Sequence, residues 1–128
     1  MASYIGIDII EVNRMKKSVK RWNEAFLKKL FTPAEIKYCR RKSDPYPHFA
    51  ARFAAKEALL KAFSNGWQGR MKWTDMEIIN DEWGKPEAVF TGFAKTLLKK
   101  NKITNVQISL SHDRLNVVAC ALMERSRK

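Results

Sequence analysis

The chain is short of most things that would classify it quickly. It has two cysteines, Cys39 and Cys120, far apart and in no CxxC arrangement, and two histidines, His48 and His112. A zinc site built on soft ligands is therefore not expected, and both thiols are expected to stay reduced. No apolar run approaches the length of a membrane span. The opening "MASYIGIDII" has no basic flank and carries Asp8 within its apolar stretch, which is not the pattern of a signal peptide. A cytoplasmic location is the default expectation, with no membrane partner. The phosphate-binding motifs GxxxxGK[ST] and GxGxxG are absent, as is HExxH. There is no repeat and no Gly/Ser linker, so 1–128 is expected to form one domain.

What is abundant is positive charge. Lysine and arginine number 25 against 13 acidic residues, a net charge of +12 in 128 residues. Such a surface favours an acidic partner: a nucleic acid, an anionic lipid, a phosphorylated small molecule or an acidic protein. With 45% hydrophobic and 11% aromatic residues the chain is expected to be globular.

Periodicity divides the chain into elements. "YIGIDIIEV" reads as a strand. Val12, Met15, Val19, Trp22, Phe26 and Leu30 then recur every three or four residues, the core stripe of a helix. Arg14, Lys17, Arg21 and Lys28 form a basic face on its other side, which suits either plain solvation or docking. "TPAE" opens a second helix with a capping box of Thr32 and Glu35. A loop, "RRKSDPYPH", leads to a helix over about His48 to Ser64, and "SNGWQG" supplies turn residues. "MEIIND", "VQISLS" and "NVVACALM" read as strands, "EAVFTG" as another short strand or the lead into a helix, and "FAKTLLKKN" as a helix. The expected fold class is α+β, an antiparallel sheet packed against helices.

The helix "RFAAKEALLKAF" raises the chemical question. Ala54, Ala55, Ala58, Leu59, Ala62 and Phe63 cover half its circumference, and Phe53 and Leu60 form a second apolar patch. Glu57 and Lys61 share the strip between these patches, and Arg52 and Lys56 make a comparable strip elsewhere. Glu57 and Lys61 suit either a surface ion pair or a site with room for a close ligand. Asp8 stands in an almost wholly apolar strand, where a carboxylate needs a cation, donors or a metal unless it faces water. Asp8 and Glu57 together would suit Mg²⁺, which takes one or two protein carboxylates and completes its shell with water and phosphate. "SLSHD" is the third candidate. Ser111, His112 and Asp113 are too close in sequence to form a catalytic triad, while His112 past a strand end suits a phosphate contact.

"GIDIIEVNRM", "RFAAKEALLKAF", "WGKPE" and "SLSHD", in this order and spacing, resemble holo-acyl-carrier-protein synthase, the small type of phosphopantetheinyl transferase. The resemblance covers nearly the whole chain. It implies transfer of the 4′-phosphopantetheine arm of coenzyme A to a serine of an acidic apo acyl carrier protein, releasing adenosine 3′,5′-bisphosphate, in support of fatty acid biosynthesis. It implies Mg²⁺ as cofactor on Asp8 and Glu57, with Glu57 and Lys61 catalytic. Arg52, Lys61, Gly84, Lys85, Pro86 and His112 would bind coenzyme A, and Arg14 and Arg21 the carrier. A homotrimer with active sites between subunits is implied as well. Where the family has a "GTG" turn after the central helix, this chain shares only Gly66, and the basic run Arg40, Arg41, Lys42 lies just before the expected 3′-phosphate contacts. The competing class is a basic nucleic-acid binder stacking bases on Trp67, Trp73 and Trp83, which would leave Asp8 and Glu57 without a role. No nucleic-acid partner is expected.

Overall fold

The computed structural model describes residues 2–63 and 70–125. The "SNGWQG" segment, with Gly66 and Trp67, lies outside them. In chain order the elements are β1 (Ser3–Glu11), α1 (Val12–Leu30), α2 (Pro33–Arg40), α3 (Tyr46–Ala62), a short 3-10 turn (Trp73–Asp75), β2 (Met76–Asn80), β3 (Pro86–Phe90), α4 (Gly92–Lys100), β4 (Ile103–His112) and β5 (Asn116–Arg125). The α+β expectation holds, but the strands form two antiparallel sheets. One has the order β1-β5-β4; the other is the β2-β3 hairpin.

Strand β5 is the axis of the larger sheet. Val117, Ala119, Ala121 and Met123 alternate inward and are buried, and α3 lies across them with Ala54, Ala55, Ala58, Leu59 and Ala62 in the core. The alanines admit a close neighbour, and that neighbour is β1 of the same chain. A Cβ on Gly6 would collide with the Ala58 carbonyl oxygen and lie 2.8 Å from the Ala62 nitrogen. A bare glycine is what lets strand and helix backbones touch, which sets the height of Asp8 against α3.

The opposite face of this sheet is different. Ile5, Ile7 and Ile9 are 61–69% exposed and stand opposite Leu122, Cys120 and Val118 on β5. Paired residues share a face, so β1 and β5 present one contiguous apolar surface, bordered on β4 by Gln107, Ser109 and Ser111.

Helix α1 departs from expectation at its middle. Met15 and Val19 face inward, and Leu27 and Leu30 are buried near its end, but Trp22 is 57% exposed. The cause is Asn23, whose φ of 54° and ψ of −137° kink the helix. Asparagine tolerates positive φ better than most residues, and the kink rotates the second half of the stripe from the Trp22 position towards Leu27. The central helix begins two residues earlier than expected, at Tyr46. Pro45 precedes it and Pro47 lies in its first turn, where a missing amide hydrogen is harmless.

Candidate active site

Alternation along β1 turns Ile7 and Ile9 outward and Asp8 towards α3. Lys61, near the end of α3, donates from Nζ to Asp8 Oδ1 at 3.1 Å and to the Ile7 carbonyl oxygen at 3.0 Å. The other Asp8 oxygen, Oδ2, is buried and has no hydrogen-bond partner. Glu57, one turn before Lys61, is half-buried. Burial pushes its carboxyl above the usual glutamate range; the Asp8 carboxylate adds to this and Lys61 opposes it. The two acids that sequence could only pair by assumption are thus electrostatic neighbours.

All three side chains open into one cavity of about 520 Å³. Helix α1 supplies Arg14, Met15 and Phe26 to its walls, and Phe53 and Trp73 close another side, their ring centroids 5.2 Å apart. Phe53, from the second apolar patch of α3, is a wall of the cavity. Trp73 packs against it, in a role the base-stacking alternative did not assign. Arg14 looks into the cavity, whereas Arg21 lies on the exposed side of α1 with its guanidinium 5.0 Å from the Trp22 ring.

The donor set fits a hard divalent cation. An unpartnered buried carboxylate oxygen beside a second carboxylate offers ligands, and among the described residues no group of three or more His, Cys, Asp or Glu side chains is placed to form a closed metal cage. Mg²⁺ needs no more than one or two protein oxygens when phosphates and waters complete its shell.

The remaining candidates gather elsewhere. Arg52 is only 5% exposed; its guanidinium lies 4.0 Å from the Tyr38 ring and Nη2 donates to Asn80 Oδ1 at 2.8 Å. Asn80 in turn donates to the Gly84 carbonyl oxygen at 2.9 Å. Asn80, which sequence reasoning passed over, therefore ties Arg52 to the hairpin turn, where Gly84 has φ +84° and Asp81 Oδ1 accepts from the Trp83 and Lys85 amides. Lys85 and Pro86 line a separate cavity of about 350 Å³ against β4 residues Asn105 to Ile108. His112 is exposed at the end of β4. Its neighbour Asp113 is spent on the turn, accepting from the Leu115 and Asn116 amides at 2.8 Å, so a triad is ruled out by geometry as well as by spacing. Within one chain, Lys85 and Pro86 do not share the cavity of Asp8, Glu57 and Lys61.

Lys56 has a different fate. It is fully buried, donating to Glu35 Oε1 at 2.6 Å and to the Leu30 carbonyl oxygen at 2.7 Å. Glu35 does form the expected capping box with Thr32, but its Oε2 also accepts from the Ile78 amide at 2.8 Å. The pair fastens α3 to the end of α1, to α2 and to β2. The capping motif concealed this second role, because only the tertiary fold brings Lys56 to Glu35.

Residues 4–121 match the family model described as the 4′-phosphopantetheinyl transferase superfamily. The chain belongs to this superfamily. Among curated proteins, this phosphopantetheinyl transferase is 42% identical over 120 residues to the holo-[acyl-carrier-protein] synthase of Geotalea daltonii, covering 94% of this chain and 96% of that one. It is also 42% identical over 119 residues to the enzyme of that name from Syntrophus aciditrophicus, covering 93% of each. Among solved structures, the transferase resembles the holo-[acyl-carrier-protein] synthase of Neisseria meningitidis with a TM-score of 0.88 at 31% identity, over 95% and 98% of the two chains. It resembles that of Helicobacter pylori, solved in complex with coenzyme A, with a TM-score of 0.82 at 30% identity, over 94% and 99%. The transferase is thus an enzyme of the holo-[acyl-carrier-protein] synthase kind.

Proposed function

We propose that this transferase moves the 4′-phosphopantetheine arm of coenzyme A to a serine of an acidic apo acyl carrier protein, with Mg²⁺ as cofactor, releasing adenosine 3′,5′-bisphosphate. It serves fatty acid biosynthesis in the cytoplasm. The observation that carries this reading is the buried, unpartnered Asp8 Oδ2 beside Glu57, with the Lys61 ammonium bound to the other Asp8 oxygen. Asp8 and Glu57 are the residues that would hold Mg²⁺, which when bound neutralises charge on the pyrophosphate as the phosphoanhydride opens.

The chain's own groups do the rest. Glu57 accepts the serine proton, directly or through water. Lys61 keeps its ammonium half-exposed in the cavity, where it offsets charge on the transferred phosphate. Arg14 and Arg21 draw the acidic carrier towards the cavity mouth. Arg52, Gly84, Lys85, Pro86 and His112 hold the phosphates and adenosine of coenzyme A. Because Lys85 and Pro86 line a different cavity from the catalytic trio in one chain, a site completed between subunits of a homotrimer accounts for both groups, and the exposed isoleucine face of β1 gives such an assembly a surface to bury.

The test is labelling of an apo carrier protein by a fluorescent coenzyme A analogue, followed by mass spectrometry. Labelling is expected with Mg²⁺ and not with a chelator. No modification of any carrier tested, with metal and coenzyme present, would sink the proposal.

A further inference from the structure

Among the described residues the buried charged side chains are Arg52, Lys56 and Glu35. The two cations stand one turn apart on α3, but the acid serves only one of them. Glu35 pairs with Lys56 and gives its second oxygen to the Ile78 amide. Arg52 has no carboxylate partner among the described residues. Its companions over the Tyr38 ring are two further cations, Arg41 and Lys42. Its Nε is buried with no acceptor. A guanidinium so placed is costly unless an anion from outside completes it.

The side chain that steadies this guanidinium is the half-buried Asn80, at the end of β2. A carboxamide has both an acceptor and a donor and carries no charge. The Asn80 oxygen accepts from Arg52 Nη2 at 2.8 Å without neutralising it. The Asn80 nitrogen donates to the Gly84 carbonyl oxygen at 2.9 Å. That bond crosses the hairpin where its ladder fails, because Asn80 stands opposite Pro86, which has no amide hydrogen. A carboxylate at this position could accept from Arg52, but it would cancel the charge and repel the Gly84 carbonyl. An apolar residue would do neither job.

We propose that Asn80 is a positioning residue for coenzyme A. Its amide fixes the Arg52 guanidinium and the Gly84–Pro86 turn as one unit, and leaves the positive charge free for a phosphate of the coenzyme. The inference rests on the coenzyme role given to Arg52 above, and adds the residue that sets its geometry and keeps it uncompensated.

The intact protein and its variants would be titrated calorimetrically with coenzyme A and Mg²⁺, without carrier protein. Asn80→Ala, which frees the guanidinium, should bind about tenfold more weakly, the strength of one charge-assisted hydrogen bond. Asn80→Asp should bind more weakly still, although it melts no lower than Asn80→Ala, since its carboxylate competes with the phosphate for Arg52. In turnover both losses should lie in KM for coenzyme A rather than in kcat or in KM for the carrier. A purely structural residue would give the reverse order, with the aspartate variant, which keeps a bond to Arg52, binding better than the alanine. That order, or the parent's affinity in Asn80→Asp, would overturn the assignment. Arg52→Gln tests the premise separately. It should lose at least as much as Asn80→Asp, and the parent's affinity in Arg52→Gln would sink the coenzyme role of Arg52 and with it that of Asn80.

Discussion

Two lysine–carboxylate pairs sit one and a half turns apart on α3, and they have opposite designs. Lys56–Glu35 is closed: side-chain exposures are 0% and 1%, Lys56 has a second acceptor, and both Glu35 oxygens are taken. Lys61–Asp8 is open: exposures are 54% and 14%, and one buried Asp8 oxygen has no partner at all. Desolvated charge is tolerable when every donor and acceptor is matched. An unmatched one is costly unless something else completes it. The contrast separates a closed structural clamp from an incomplete pair that opens into a cavity, though the two use the same residue types on the same helix.

The largest effect expected follows from breaking the closed pair. Lys56→Met strands the Glu35 carboxylate in the core and should cost about 3–5 kcal/mol, measured by guanidinium unfolding, with partial recovery when Glu35→Gln is added. A loss below about 1 kcal/mol would mean that the clamp is not one. The open pair should answer in the other observable. Lys61→Met should lower stability by no more than about 1 kcal/mol, since solvent screens an exposed ammonium, yet reduce turnover by about 100-fold or more. Full activity in that variant would erase the distinction.

A finer test uses pH. In the metal-free protein the Glu57 carboxyl is held above the usual glutamate range, by burial and then by Asp8, with Lys61 opposing. Followed by carbon NMR without metal, Asp8→Asn should therefore lower its pKa and Lys61→Met should raise it. A Glu57 titration unmoved by Asp8→Asn would separate the two carboxylates. The smallest effect concerns Cys39, which is buried near the closed pair with its thiol pushed up to about 12, first by burial. It should resist thiol reagents in the native protein, and Lys56→Met should make it react measurably faster through local opening. Equal rates would show that the clamp does not govern opening there.

Much of this was legible beforehand because it is local. Element types follow from periodicity, the Thr32–Glu35 cap from four adjacent residues, and the suspicion about Asp8 from a charge in an apolar strand. The fourfold set of sequence segments was enough to imply the family. Trp22 was misplaced because an α-helical stripe assumes unbroken helix, and Asn23 interrupts it. Asn80 went unnoticed, and Trp73 stood out only as a base-stacking candidate, because neither belongs to a pattern; each matters through what it touches.

By itself, then, the sequence determined the α+β class, the elements, the basic surface and the short set Asp8, Glu57, Lys61. It also placed Arg52, Lys56, Glu57 and Lys61 on one helix without saying which charges would be buried and matched. Tertiary structure decided that, since it depends on partners distant in the chain: Glu35 and Leu30 for Lys56, Asn80 and Tyr38 for Arg52, and Asp8 for Lys61. Gly6 lets β1 approach α3 closely enough for the last of these contacts. The cost or use of a charge is set by its surroundings, and only the fold supplies them.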